Sequence, residues 1–226
     1  MKILKLVSCL VLFSVPAFGS VFSDLTPEDQ ASVQKGEMVT VYTPNDDTET
    51  TWPNSAAYKR MEATPEEAAA VFSDFEIQKD YINHLKLSHI TQRLSPTSCV
   101  VDYEVKVPFL LKPFLGDTTY TVRDDISFDS ATNTYSIKWA FVKGGFLKNI
   151  LGHATFEPLG TGTLITYVNE MTPSSQGMNS GMIVKEIKKG STEAVEDIIN
   201  KITDERKNHQ DILQKQIARL REAFVK

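Results

Sequence analysis

Cysteine is almost missing from this sequence, which has 226 residues and only two cysteines, Cys9 and Cys99. Cys9 lies in an apolar N-terminal segment that we expect to be removed, so the mature chain keeps a single thiol. One thiol excludes an internal disulfide, and the fold must therefore be stabilised by packing. Cys99 alternates with valines, a pattern typical of a small buried side chain.

An excess of positive charge is also missing. The 24 lysines and arginines are outnumbered by 29 aspartates and glutamates, which gives a formal net charge of −5. This sign argues against nucleic acid as a partner, because binding to phosphates depends on clustered basic residues.

The common catalytic and cofactor motifs are absent from the sequence. His84 and His89 lie on either side of a change from helix to strand, and His153 and His209 lie on other elements, so metal-ligand spacing is missing. No Gly-x-Ser-x-Gly turn marks a nucleophilic serine, and the glycine-containing segment 177–181 has no lysine in the phosphate-loop position. The sequence therefore predicts no catalytic residue set, no metal and no cofactor.

Long apolar runs are limited to the N-terminus. Lys2 and Lys5 precede the apolar stretch 6–15, and Ala17-Phe18-Gly19 supplies small residues of the kind that a signal peptidase reads. This pattern predicts a signal peptide cleaved after Gly19 and a periplasmic or secreted protein. A retained anchor is the alternative, but the run is shorter than the roughly 20 residues that a spanning helix needs.

Two helix starts and a series of strands can be read from local patterns. Thr26-Pro27 and Thr64-Pro65 each combine a capping residue with proline at the first helical position. Beyond the second helix the apolar period changes to two, which indicates an antiparallel meander with one dry face. The predicted strands cover residues 38–42, 56–63, 86–95, 98–107, 118–128, 134–142, 151–158 and 163–171.

The C-terminal segment has helical periodicity. Its apolar stripe runs from about Met182 to Phe224 and is interrupted by the polar run 203–211. We expect the first half to dock on the sheet. For the second half three alternatives stay open: docking on the same domain, packing on another copy, or contact with a membrane.

Two segments resemble a known family. Residues 64–75 with Tyr81 resemble the opening helix of START-like domains, the superfamily of polyketide cyclases and lipid-transport proteins. Residues 152–159 with 162–167 are similar to the final hairpin of that family. The resemblance covers about residues 55–205 and implies an α+β helix-grip fold, in which a curved antiparallel sheet wraps around a long C-terminal helix. It also implies a cavity that the family uses for lipids, sterols, polyketides and other apolar molecules.

These patterns divide the chain into three parts. Residues 1–19 are the predicted signal peptide, and residues 20–54 form an N-terminal helix, strand and loop. Residues 55–226 form the START-like domain with its extended C-terminal helix.

The predicted cavity lining consists of apolar and phenolic side chains on the dry faces of the strands and on the last helix. Phenol hydroxyls are suited to holding the polar end of an apolar ligand, although for any single one of these residues plain core packing is favoured over ligand contact. The residues are Tyr103, Val105, Tyr120, Tyr135, Trp139, Phe141, Tyr167, Val184 and Ile187.

Two segments between strands, 108–116 and 144–151, are unusually apolar for loops. One hypothesis makes them a lid over the cavity entrance, with lysines that meet anionic lipid head groups at a membrane. The alternative is that both fold back as core plugs or form extra turns of helix. The lid or membrane-contact residues are Phe109, Leu110, Leu111, Lys112, Phe114, Phe146, Leu147 and Lys148, with Lys143 as a further lysine.

Asp124 has two interpretations, because alternation places it on the face of Tyr120 and Val122. On an inner face, a buried acid must be paired or must bond a ligand, whereas an edge position or a bulge would expose it to water.

The sequence as a whole favours an exported protein that binds or carries a lipid or other apolar small molecule. A cavity enzyme using Asp102, Asp124 or Glu170 is one alternative, and it requires two ionisable groups that face inward together. A protein-interaction module acting through the helix after Lys201 is another. The identity of the ligand, any catalysis and the oligomeric state stay open.

We expect the chain, when expressed from its own start codon in a Gram-negative host, to be recovered from the periplasm with Ser20 as its first residue. Deletion of residues 2–19 should leave it in the cytoplasm. N-terminal sequencing of each fraction makes the measurement, and a periplasmic protein that still begins at Met1 would contradict cleavage.

Overall fold

The structure, a computed structural model, describes residues 22–45, 52–106, 118–174 and 181–225. These residues build an antiparallel sheet of eight strands in the order β1-β2-β8-β7-β6-β5-β4-β3. The strands are β1 Val39–Thr43, β2 Asn54–Met61, β3 Leu85–Ser95, β4 Ser98–Val105, β5 Thr119–Asp129, β6 Thr134–Gly144, β7 Leu147–Leu159 and β8 Gly162–Pro173. The predicted meander is confirmed, and β2 joins it by pairing with β8.

Five α-helices lie in the described part of the chain: α1 Pro27–Gln34, α2 Pro65–Phe72, α3 Gln78–Tyr81, α4 Gly181–Asn208 and α5 Gln210–Phe224. Short 3-10 turns cover Phe22–Asp24 and Phe75–Ile77. Within the described ranges, none of the helices is both long and apolar enough to cross a bilayer.

Helix α2 begins as its sequence predicts. The backbone N–H of Glu67 donates to Thr64 Oγ1 at 3.2 Å, and the N–H of Thr64 donates to Glu67 Oε2 at 2.7 Å. This reciprocal capping box satisfies two N–H groups that a helix start leaves unpaired. The body of α2 is buried on every side, with Ala68, Ala69 and Val71 fully inaccessible.

The C-terminal segment forms two helices, where the sequence pattern indicated one interrupted stretch. Helix α4 continues through the first part of the polar run, and the chain breaks at His209, whose φ and ψ are −135° and 47°. Helix α5 then buries Leu213, Ile217 and Leu220 in the main core. Of the three alternatives for this segment, docking on the same domain is the one that the structure supports.

The contact between α5 and α2 also includes an ion pair. Arg221 Nε and Nη2 each lie 2.6 Å from an oxygen of Glu66, in a two-pronged arrangement on the surface. Such bidentate pairs fix orientation more than they add stability, because water competes for both charges.

Beside the concave face, the sheet requires glycine at position 152. Gly152 of β7 pairs with Trp139 of β6, and a Cβ at this position would lie 2.4 Å from the indole ring. The missing side chain therefore lets Trp139 lie flat across the neighbouring strand, which brings the ring to the concave face.

Candidate ligand-binding cavity

A cavity of about 490 Å³ lies between the concave face of the sheet and α4. This volume falls within the range of about 300–1,000 Å³ that is usual for small-molecule sites. Most of its wall is apolar and is supplied by both the sheet and the helices. Besides residues predicted from sequence, the wall contains Trp52, Phe72, Phe75, Ile82, Leu85, Val122, Phe146, Leu147, Ile150, Met171, Ile183, Ala194 and Ile198.

Six of the nine predicted lining residues do line this cavity: Tyr103, Val105, Tyr120, Trp139, Tyr167 and Ile187. They come from β4, β5, β6, β8 and α4. The strand residues among them show that the alternation pattern predicts the inward face of these strands correctly. Whether each contacts a ligand stays a prediction.

The other three predicted residues do not line the cavity. Tyr135 lies at the other end of β6, where it stacks on Phe128 with ring centroids 4.4 Å apart and is approached by Phe224 of α5. Phe141 is half-buried beside an irregularity in the pairing of β5 with β6 and packs on the core outside the cavity. Val184 is also half-buried and packs on the core.

The placement of Val184 reflects the phase of α4. The side of this helix that lines the cavity carries Ile183, Ile187, Gly190, Ala194 and Ile198, which recur at intervals of three or four residues. At the start of the helix the predicted lining residue is Val184, whereas the residue that lines the cavity is the adjacent Ile183. Two small residues, Gly190 and Ala194, lie in the middle of this face and gave no apolar signal.

Three buried hydrogen bonds order the polar side chains of the wall. The hydroxyl of Tyr103 donates to Gln78 Oε1 at 2.9 Å, and Gln78 Nε2 donates to the carbonyl oxygen of Phe72 at 2.9 Å. The indole N–H of Trp139 donates to Asn169 Oδ1 at 3.2 Å. Neither Gln78 nor Asn169 was singled out from the sequence, because a polar residue in an apolar pattern gives no periodic signal.

Asp124 lies in the cavity wall and is only 2 % exposed. Its strand pairs without a bulge at this point, with Cys99 on one side and Trp139 on the other, so the carboxyl faces the interior. The water-exposed interpretation of Asp124 is therefore wrong. Its Oδ2 is buried and has no hydrogen-bond partner, and none of the ion pairs between described residues includes it.

The electrostatic state of Asp124 follows from this burial. Loss of solvation raises the pKa of its carboxyl from 3.8 to about 8, with a smaller contribution from the neighbouring charge of Asp125. Burial likewise raises the pKa of the Tyr103, Tyr120 and Tyr167 phenols, and the nearby Asp124 acts in the same direction. At neutral pH this group of side chains is therefore mainly uncharged.

Charged residues are found where the cavity reaches the surface. Exposed Lys106 and Lys189 lie there, with half-buried His84 and Glu186. His84 Nε2 lies 2.6 Å from Glu193 Oε2, a contact that ties α4 to the segment before β3.

Two further contacts hold α4 over the cavity. The backbone N–H of Asn83 donates to Asp197 Oδ2 at 2.9 Å. The hydroxyl of Tyr42 donates to the carbonyl oxygen of Lys188 at 3.0 Å. The helix is thus fastened to both edges of the sheet, through the segment before β3 and through β1.

The structure describes only the second of the two predicted lid segments. Phe109, Leu110, Leu111, Lys112 and Phe114 lie outside the described residues. In the second segment the loop prediction is wrong, because β7 begins at Leu147. Phe146 and Leu147 are buried in the cavity wall, whereas Lys143 and Lys148 are exposed.

The other acids considered for catalysis lie away from the cavity. Asp102 accepts a hydrogen bond from Thr121 Oγ1 at 2.5 Å, and neither Asp102 nor Glu170 belongs to the lining. Within the described ranges, no group of three or more histidine, cysteine, aspartate or glutamate side chains is placed to hold a metal.

Comparisons with solved structures identify the fold. The chain resembles human StAR-related lipid transfer protein 5 with a TM-score of 0.61 at 14 % identity, covering 76 % of this chain and 84 % of that one. It resembles a STAR-related lipid transfer protein fragment from Xanthomonas axonopodis with a TM-score of 0.59 at 10 % identity, covering 74 % and 93 %. An aromatase/cyclase from Streptomyces gives 0.53 at 13 % identity, covering 76 % and 98 %.

No family model matches the sequence, and no curated protein sequence does. The structural likenesses show the START-like helix-grip fold, which confirms the architecture that the resemblance implied. This chain therefore has a START-like helix-grip fold, with an apolar cavity between its sheet and α4.

Replacing Asp124 with asparagine should change how stability depends on pH. The pKa of the carboxyl is about 8 in the folded state, above its ordinary value of 3.8. The contribution of Asp124 to the free energy of unfolding is therefore complete below about pH 4 and is lost as the pH rises towards 8. Relative to the wild type, Asp124→Asn should therefore gain free energy of unfolding between pH 4 and pH 8, by as much as about 5 kcal/mol.

Urea unfolding at several pH values measures this difference. Asp125→Asn serves as the control, because Asp125 is adjacent but pairs with Arg123 at 2.9 Å on the solvent side. A difference between Asp124→Asn and the wild type that stays constant over this pH range would show that the acid is not desolvated.

Proposed function

We propose that this protein is an exported carrier that holds a lipid or other apolar small molecule in the cavity under α4. The observation that carries the proposal is the apolar cavity of about 490 Å³, whose wall combines aromatic rings with one uncharged acid. Such a site favours an apolar molecule with a small polar end over a charged metabolite. Export rests on the N-terminal signal pattern.

The structural neighbours support lipid carriage as the function of this protein. The proteins from Xanthomonas axonopodis and human that share the fold are named lipid transfer proteins. The aromatase/cyclase shows that the same fold also accommodates an enzyme, so the fold alone does not decide. The side chains in the cavity must do so.

A cavity enzyme is the second candidate, and Asp124 is the observation that favours it. Acid–base catalysis at this site needs a second group that accepts or donates a proton near the first. Among the described lining residues, Asp124 is the one deeply buried carboxyl, and the phenols around it stay protonated at neutral pH. The site is therefore better suited to holding a molecule than to moving protons.

The interaction-module alternative has less support. The apolar face of α5 is already buried against the rest of the domain through Leu213, Ile217 and Leu220. A partner that used this face would first have to displace these intramolecular contacts.

Filling the cavity should abolish ligand uptake. Ala194 lines the cavity from α4, so Ala194→Trp would place an indole in the space that a ligand occupies. We expect affinity for the fluorescent apolar probe N-phenyl-1-naphthylamine to fall at least about tenfold, a loss of about 1.4 kcal/mol or more. Asn200→Trp, on the exposed side of the same helix, is the matched control. Equal probe binding by the two variants would place the site elsewhere.

We also propose that the turn between β6 and β7 meets anionic membranes. Exposed Val142 and the exposed Lys143 and Lys148 lie next to cavity-wall residues Phe146 and Leu147. Apolar and basic groups together suit the surface of an anionic bilayer.

Charge reversal tests the membrane proposal. Lys143→Glu and Lys148→Glu together should slow transfer of a fluorescent lipid from phosphatidylglycerol vesicles, because each lysine near such a surface contributes about 1 kcal/mol. Transfer from phosphatidylcholine vesicles is the control and should change little. An unchanged rate of lipid transfer with both vesicle types would contradict the membrane proposal.

A further inference from the structure

We infer that the cavity selects an uncharged ligand with a hydroxyl group, and that Asp124 binds this hydroxyl. The inference rests on the proposed function, because it specifies what the carrier holds. It starts from an unsatisfied group: Oδ2 of Asp124 is buried and has no hydrogen-bond partner. Buried polar atoms in native proteins nearly always have a partner, and here a bound molecule can supply it.

Two of the polar groups that share the wall with Asp124 already donate to other side chains. The Tyr103 hydroxyl hydrogen is directed to Gln78, and the Trp139 N–H is directed to Asn169. Asp124 is close enough to Tyr120 and Tyr167 to act on the pKa of both phenols. A ligand hydroxyl at Asp124 would therefore enter a small polar region in an otherwise apolar wall.

The charge of the ligand's head group determines whether that group fits this polar region. The charged residues of the described lining other than Asp124 are Lys106, Lys189, Glu186 and His84, and Lys106 and Lys189 are at the surface opening. A ligand carboxylate placed at Asp124 would be a second desolvated acid without a cation beside it. A ligand ammonium would lose its own hydration to reach the same place.

A hydroxyl avoids both costs. It both donates and accepts, so it accepts a hydrogen bond from the neutral Asp124 carboxyl or donates one to the unpartnered oxygen. Its desolvation is far cheaper than that of an ion. The apolar body of the ligand would then extend along the aromatic wall towards the opening. A fatty acid would have to enter in the reverse direction, with its carboxylate outside and no contact with Asp124.

A matched ligand series separates these cases. Dodecanol, dodecanoic acid and dodecylamine share one chain and differ only at the head group. Their affinities can be measured at neutral pH by displacement of N-phenyl-1-naphthylamine from the mature protein. We expect dodecanol to bind tightest to the wild type. Asp124→Leu should weaken dodecanol about tenfold, the value of one buried hydrogen bond, and leave dodecanoic acid unchanged.

Asp124→Asn is the second variant, because its amide keeps both donor and acceptor and fits the same space. It should hold dodecanol within about threefold of the wild type, since its hydrogen bond replaces the lost one. Tighter wild-type binding of the acid or the amine would overturn the inference, as would equal dodecanol affinity in Asp124→Leu. Failure of the wild type to bind the probe or any of the three ligands would instead overturn the proposed function.

Discussion

The packing of α2 between the sheet and the two C-terminal helices is the contact on which the rest of the structure depends. Ala68, Ala69 and Ala70 are all buried, and their small side chains let neighbouring backbones approach closely. Phe72 at the end of the helix reaches the concave face, where its ring contacts Phe156 at 5.7 Å and Trp139 at 6.4 Å between centroids. Substituting any of these alanines with a larger residue would overpack the site, because every side of the helix is occupied.

The cavity follows from how α4 is placed relative to this core. In the second half of α4, Val195, Ile198 and Ile202 are fully buried in the main core. Nearer the N-terminal end the cavity face carries Gly190 and Ala194, which leave the space above the sheet open. Gly152 acts on the opposite wall, because its missing side chain admits the ring of Trp139. Small residues at these points therefore produce a volume that large ones would close.

Local patterns predicted most of the fold, because strand alternation and helix capping depend on neighbours in sequence. The capping box at Thr64 and the six cavity residues on strands and α4 follow from such patterns. The exceptions have tertiary causes. Asp124 is buried because β4 and β6 flank its strand, and the side chain of Gln78 is held in the wall by Tyr103 and by the carbonyl oxygen of Phe72. On α4 the pattern predicts Val184 where the structure has the adjacent Ile183, and it omits Gly190 and Ala194 because small side chains add little to an apolar stripe.

The central claim is that the cavity under α4 holds an apolar molecule. Native mass spectrometry with lipid extraction tests it most directly, on mature protein purified from its own compartment without detergent. The account predicts one uncharged apolar molecule per chain. An empty protein that also takes up no fluorescent apolar probe would contradict it.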